Sequence, residues 1–262
     1  MRTIITAAAL GWALSSYAWA QDAATSEAGR QLAKKVADAI VTVRVATKMT
    51  MTFEGESSNQ ERKSESQGLV VDAKGSTIVP LSNLDPSALF AAIGGEGMSM
   101  KTDITDVKLV RSDGTEIDAK IVLRDKDLDL ALLVPTKQPA ASLAFVNLAE
   151  AGSAEALDPV FVFSRLGRVA NRALYHRVTF IGSVIERPRK RYVVEMGQLS
   201  SEVGSPVFDR TGKLLGLITL RAATGGAADA GDATGRNSVL PMVVPSADLL
   251  KFVSSAAAAP AK

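Results

Sequence analysis

The spacing of apolar positions changes early in the chain. From Ser26 to Ile40 they fall at Leu32, Ala33, Val36, Ala39 and Ile40, which predicts one amphipathic helix. From Ile40 to Val45 the residues alternate and are mostly β-branched, which predicts a strand. Gly55 to Ser66 is polar and charged throughout and reads as a loop. Gly68 to Pro80 reads as a hairpin, with Asp72 opening its turn and Gly75 closing it. Asp209 and Gly212 repeat that device, and a tighter turn sits at Asp113-Gly114. Further strands are predicted at Val107–Val110, Glu116–Leu123, Leu128–Val134, Val160–Phe163, Arg177–Ile185, Tyr192–Glu195, Val207–Phe208, Leu214–Leu220 and Val239–Val244. Pro135 to Asp158 reads as a crossover, and Ala222 to Asn237, rich in Gly and Ala, as a flexible loop. Ser246–Val253 is a predicted short helix. Many short strands, with helices only at the two ends, predict an all-β domain pair of barrel type.

Composition adds three bounds. Met1-Arg2, an apolar stretch from Thr3 to Leu14 and the ending Ala18-Trp19-Ala20 have the form of a secretory signal peptide. Export to the periplasm or the exterior is therefore expected, with Gln21 as the first mature residue and no stable membrane span after cleavage. The chain has no cysteine, so it relies on buried cores rather than disulfides. His176 is the only histidine, which excludes a histidine-rich metal site, and no cofactor or metal is expected. A formal net charge of +2 gives no argument for a nucleic-acid partner. The basic run Arg187–Arg191 reads as a solvated loop, with anion contact as the lesser reading.

Candidate chemistry concentrates in "LSSEVGSPVFDRTGKLLG", Leu199 to Gly216, where small and polar residues crowd a turn before a hairpin. That segment, "GLVVDAKGSTIVPLSNLD" and "SDGTEIDAKIVLRDKDLDLALL" occur in an order and spacing that resemble the HtrA (DegP-like) branch of the trypsin-like serine proteases. The ending "VLPMVVPSADLLKFV" is similar to that family's last strand and helix. The resemblance runs from Ile40 to Val253. It implies a trypsin-like double barrel: two six-stranded β-barrels, a short N-terminal helix and a C-terminal helix. The implied organisation is a signal peptide at 1–20, an N-terminal segment at 21–39, a first barrel at 40–137, a crossover with the second barrel and helix at 138–253, and a disordered tail at 254–262. In that family a PDZ domain usually follows, and none is expected here.

The resemblance also maps the catalytic triad. It places Asn83 at the histidine position, Asp129 at the retained aspartate and Val203 at the serine position. Ser201, Glu202 and Val203 fall on the oxyanion loop. Valine supplies no nucleophile and an asparagine amide is no base, so no residue is expected to be catalytically active. Asn83 is expected to donate its amide to Asp129, or Asp129 is bonded to backbone amides alone. Glu202 would set a negative charge near a developing oxyanion. Ser201 and Ser205 are the alternative nucleophiles. For Ser205 a turn-capping role is the stronger reading, and Ser200 is undistinguished. His176, at a strand start in the second barrel, is expected away from Asp129.

These residues support three readings. The first is an exported pseudoprotease that binds an extended peptide, an unfolded chain or a partner protein. The second is an active HtrA-like endopeptidase with an unorthodox site. The third is a purely structural envelope protein. Neither oligomeric state nor ligand follows from the sequence.

Overall fold

The computed structural model describes residues 24–93, 98–195, 202–222 and 239–258. The expected signal peptide, Ser200, Ser201 and the loop from Thr224 to Asn237 lie outside them. Helix α1 spans 24–36 and buries Gly29, Leu32 and Val36. A side chain at Gly29 would meet the Phe161 ring at 2.9 Å, so the helix lies flat on that ring.

The first barrel follows. It is built from β1 (Ile40–Phe53), β2 (Glu56–Val70), β3 (Thr77–Pro80), β4 (Met98–Val110), β5 (Glu116–Asp125) and β6 (Leu130–Pro135), closed in the order β1-β2-β3-β6-β5-β4. Two short helices, α2 (Leu81–Leu84) and α3 (Ser87–Ile93), sit between β3 and β4. The second barrel is β7 (Pro159–Arg165), β8 (Leu174–Ile185), β9 (Arg191–Val194), β10 (Pro206–Phe208), β11 (Leu214–Ala222) and β12 (Val239–Pro245), closed as β10-β11-β12-β9-β8-β7. Helix α4 (Ser246–Ala258) ends the described chain. Two six-stranded barrels with a helix at each end match the expected fold.

Three expectations are corrected. The polar stretch Gly55 to Ser66 is strand, not loop: it continues β2, paired with β1 from Ile40↔Leu69 to Phe53↔Glu56 without a slip. Alternation was invisible there because Glu56 to Lys63 are exposed on both faces. Helices are not confined to the ends, since α2 and α3 interrupt the first barrel. The tail is helical through Ala258, because Phe252 packs into the core and the helix simply continues past it.

Val43, Val70, Val79, Leu109 and Leu133 fill the first barrel, and Val160, Ile181, Val207, Leu215 and Ile218 the second. The third cluster joins them. Ile40, Leu69, Ile78 and Leu130 of the first barrel meet Phe161, Phe163, Phe208, Leu214 and Val244 of the second, sealed by Leu32 of α1 and Phe252 of α4. Burying that surface fixes the two barrels against each other. Among the described residues no helix is long and apolar enough to cross a membrane.

Candidate functional site

Asp129 stands just before β6 with a left-handed backbone, φ 55°. Its carbonyl accepts the Leu81 N–H at 3.0 Å. Its carboxylate takes three donors. Oδ1 accepts the Ser82 N–H at 2.7 Å, while Oδ2 accepts the Ser82 hydroxyl and the Leu220 N–H, each at 2.9 Å. Ser82 belongs to α2 and Leu220 to β11, so this one carboxylate spans the barrel interface. Burial raises its pKa from 3.8 to about 6, against the pull of the Leu220 and Ser82 amides. Among the described residues no cationic side chain bonds it.

Asn83 does not bond Asp129. Its amide Nδ2 donates instead to the Val203 carbonyl at 3.2 Å. The cause is local. Helix α2 is a single turn that starts directly after Pro80 of β3. Successive side chains on a helix diverge by about 100°, so Ser82 faces the carboxylate and Asn83 faces the turn. Asn83, Asp129 and Val203 are thus gathered in one place, and the hydroxyl of Ser82 holds the place beside the carboxylate that was expected for Asn83.

The turn itself is held on both sides. Gly204 has φ 95°, donates to the Ile218 carbonyl at 2.8 Å, and would drive a side chain to 2.8 Å from the Gln67 carbonyl. Only glycine satisfies both demands. The Ser205 N–H closes the turn onto the Glu202 carbonyl at 2.9 Å. The Glu202 side chain is fully buried, and Arg177 of β8 grips it twice, Nε at 2.8 Å and Nη2 at 3.0 Å. Glu202 is therefore held in an ion pair, so the negative charge expected beside the turn is matched by the Arg177 guanidinium.

Ser205 is fully buried. Its hydroxyl lies 2.7 Å from that of Ser164 and accepts the Gln67 amide at 2.7 Å, while Gln67 Oε1 accepts the Arg165 N–H at 2.8 Å. The hydroxyl joins the two barrels; the turn is capped by backbone, not by this side chain. His176 is exposed at the start of β8, its ring 6.0 Å from that of Phe163.

A trypsin-like peptidase domain model matches residues 66–217, more than half of the chain. The chain belongs to the trypsin-like peptidase family. The MamO protease domain from Magnetospirillum magneticum, in an apo crystal structure, is similar with a TM-score of 0.51 and 16% identity over 83% of this chain and 96% of that one. At that identity the likeness speaks for the fold. No curated protein sequence matches the chain.

In this trypsin-like domain the sequence reading missed Ser82, Arg177 and Gln67. Gln67 lies inside the matched segment "QGLVV" with nothing local to mark it, and Arg177 is 25 positions from its partner. Ser82 had a signal: it follows the strand end by two residues, and a helix start there aims it inward. The basic run is exposed from Arg187 to Lys190, as expected of a solvated loop, and departs from that reading only at its last residue. Arg191 is buried against Asp248 at 3.0 Å, and Lys190 lies 5.3 Å over the Tyr192 ring. A polar groove of about 670 Å³ runs along the outer wall of the first barrel past Arg44, Lys63, Lys108, Glu116 and Arg168; neither Asp129 nor Val203 lines it. Among the described residues no three acidic or histidine side chains are grouped to hold a metal.

Proposed function

We propose that this chain is an exported trypsin-like peptidase homologue without hydrolytic activity, which holds an extended peptide in the cleft between its barrels. The observation that carries the reading is the partner of Asp129: a serine hydroxyl rather than an imidazole, with Asn83 bonded to the Val203 carbonyl beyond it. Acyl transfer on this fold needs a base between the carboxylate and a nucleophile. Val203 offers no nucleophile, and Ser205 has its hydroxyl engaged inside the protein by Gln67 and Ser164.

Peptide binding is supported by the edge of β11. β10 pairs with it as far as Leu217, and β12 covers its other edge up to Ala222. Ile218 exchanges its backbone bonds with Gly204 and Ser205, and Leu220 points its N–H the same way to Asp129. By strand periodicity the Leu220 carbonyl and the backbone of Ala222 face the cleft, ready to take an added strand.

Purified protein is expected to hydrolyse casein no faster than buffer and to resist a fluorophosphonate probe. Labelling that disappears with Ser205→Ala would overturn the reading. Val203→Ser alone is expected to stay inert. Ser82→His with Val203→Ser is expected to label, because the ring enters beside Asp129, whereas Asn83→His with Val203→Ser is not. Export is tested by N-terminal sequencing of the protein from the periplasm or medium, with Gln21 expected first.

A further inference from the structure

Among the described residues, the hairpin of β1 and β2 leaves a long strand edge unpaired. β2 meets β3 only at Leu69 and Val70, yet pairs with β1 along its whole length. The turn Glu54-Gly55, with φ 49° and 88°, makes Phe53 and Glu56 the closing pair. In a two-residue hairpin of this kind the closing pair is hydrogen-bonded, so Glu56, Ser58, Gln60 and Arg62 bond to β1. The backbone groups of Ser57, Asn59 and Glu61 then point to the open edge. Protein edges are ordinarily blunted by shortness, a bulge, proline or charge; from Glu56 to Lys63 this one has no bulge and no proline, and its charges, Glu56, Glu61, Arg62 and Lys63, are of both signs.

Its usable length is bounded. At the turn end it stops at Glu56. At the other end the second barrel closes in, where Arg172 bonds Glu65 at 2.7 Å and Arg168 borders the same groove as Lys63. A strand added to the edge has Glu56 to Arg62 to pair with. Glu56 and Arg62 sit at the two ends of that segment on one face of the strand, opposite in charge and exposed, with no ion-pair partner among the described residues.

We propose that the occupant is a second copy of this chain, paired antiparallel along Glu56–Arg62 about a two-fold axis at Asn59. Asn59 then faces Asn59, Ser57 faces Glu61, and Glu56 faces Arg62 twice. The three outward-facing residues of each copy exchange about six backbone hydrogen bonds. The contact is isologous, so it closes at two copies and does not propagate. Moving the axis to Glu61 would set that glutamate against itself and push the partner into the second barrel at Lys63–Glu65. Charge and space select the same register. The ribbon of β4, β1 and β2 becomes half of a six-stranded sheet.

The mature chain is tested by sedimentation velocity, where a mass twice that of the chain is expected. Asn59→Pro removes an N–H that β1 does not use, and is expected to return the mass to that of one chain with an unchanged circular dichroism spectrum. Arg62→Glu is expected to weaken association about tenfold, by setting like charges opposite at both ends. Adding Glu56→Arg to it is expected to restore the dimer, which keeps the proposal testable if the proline variant fails to fold. A monomeric wild type leaves the edge to a different chain and overturns the proposal. So does a dimer that survives Asn59→Pro, or an Arg62→Glu defect that Glu56→Arg does not repair.

Discussion

Two buried carboxylates flank the cleft, and they are kept in different company. Asp129 on the first-barrel side receives only neutral donors, from Ser82 and Leu220. Glu202 on the second-barrel side receives the two-pronged guanidinium of Arg177. The first has its pKa raised by burial to about 6. The second is half of an ion pair taken out of water, whose worth depends on both partners being present. One side of the site is a pH-sensitive join between barrels; the other is a fixed prop under the turn.

Breaking the prop is expected to have the largest effect. Glu202→Ala leaves Arg177 mostly buried, with the Glu195 carbonyl as its remaining acceptor among the described residues, a loss of about 4 kcal/mol. A lowered urea midpoint with an unchanged slope is the expected result. A shift below a tenth of that would mean that the pair merely replaces water contacts.

The join is broken by titration. Asp129 holds its proton more tightly folded than unfolded, so between these two pKa values the folded chain binds more protons and stability falls as pH rises. The contribution is full below 3.8 and is lost as pH rises through about 6, about 3 kcal/mol in total. Asp113 and Glu116, held low by Thr115 and by Arg44 with Lys108, act in the opposite sense. The readout is therefore the difference between wild type and Asp129→Asn in urea midpoints from pH 4 to pH 7, where the variant is expected to lack this decline. Parallel curves would show that Asp129 does not titrate there.

The smallest effect sharpens the contrast. Ser82→Ala removes one neutral donor from the carboxylate, at a cost of about 1 kcal/mol. It is expected to move the Asp129 titration to higher pH, since a bond to the charged form is gone. The carboxyl resonance of Asp129 followed by NMR against pH measures the shift directly. A downward movement would contradict the donor role assigned to Ser82.

The barrels were legible wherever one strand face is buried, as at Ile40–Val45 and Leu214–Leu220. They were illegible where both faces meet solvent, as along Glu56–Lys63, because pairing with β1 leaves no mark on the paired strand's own composition. Asp129 was legible from its neighbours Leu-Ala-Leu-Leu. Which residue meets it was not, since that depends on where α2 begins, and a shift of one residue in a helix turns the side chain by a quarter of the circle or more. The Glu202–Arg177 pair was hidden for another reason: register between β7 and β8 sets it, and no local spacing encodes that register.

Arg165 has a consequence for how the chain is made. Its guanidinium is buried on β7 and donates to the carbonyls of Ile40, Ala37 and Arg172. The first of these lies 125 residues earlier in the chain. During synthesis the segment entering the first strand must wait for a residue that emerges nearly half a chain later. Contacts of such long range close slowly and close together, so the order of assembly runs against the order of translation. The beginning of the molecule is fastened near the end of folding, and the two barrels are expected to melt as one cooperative unit.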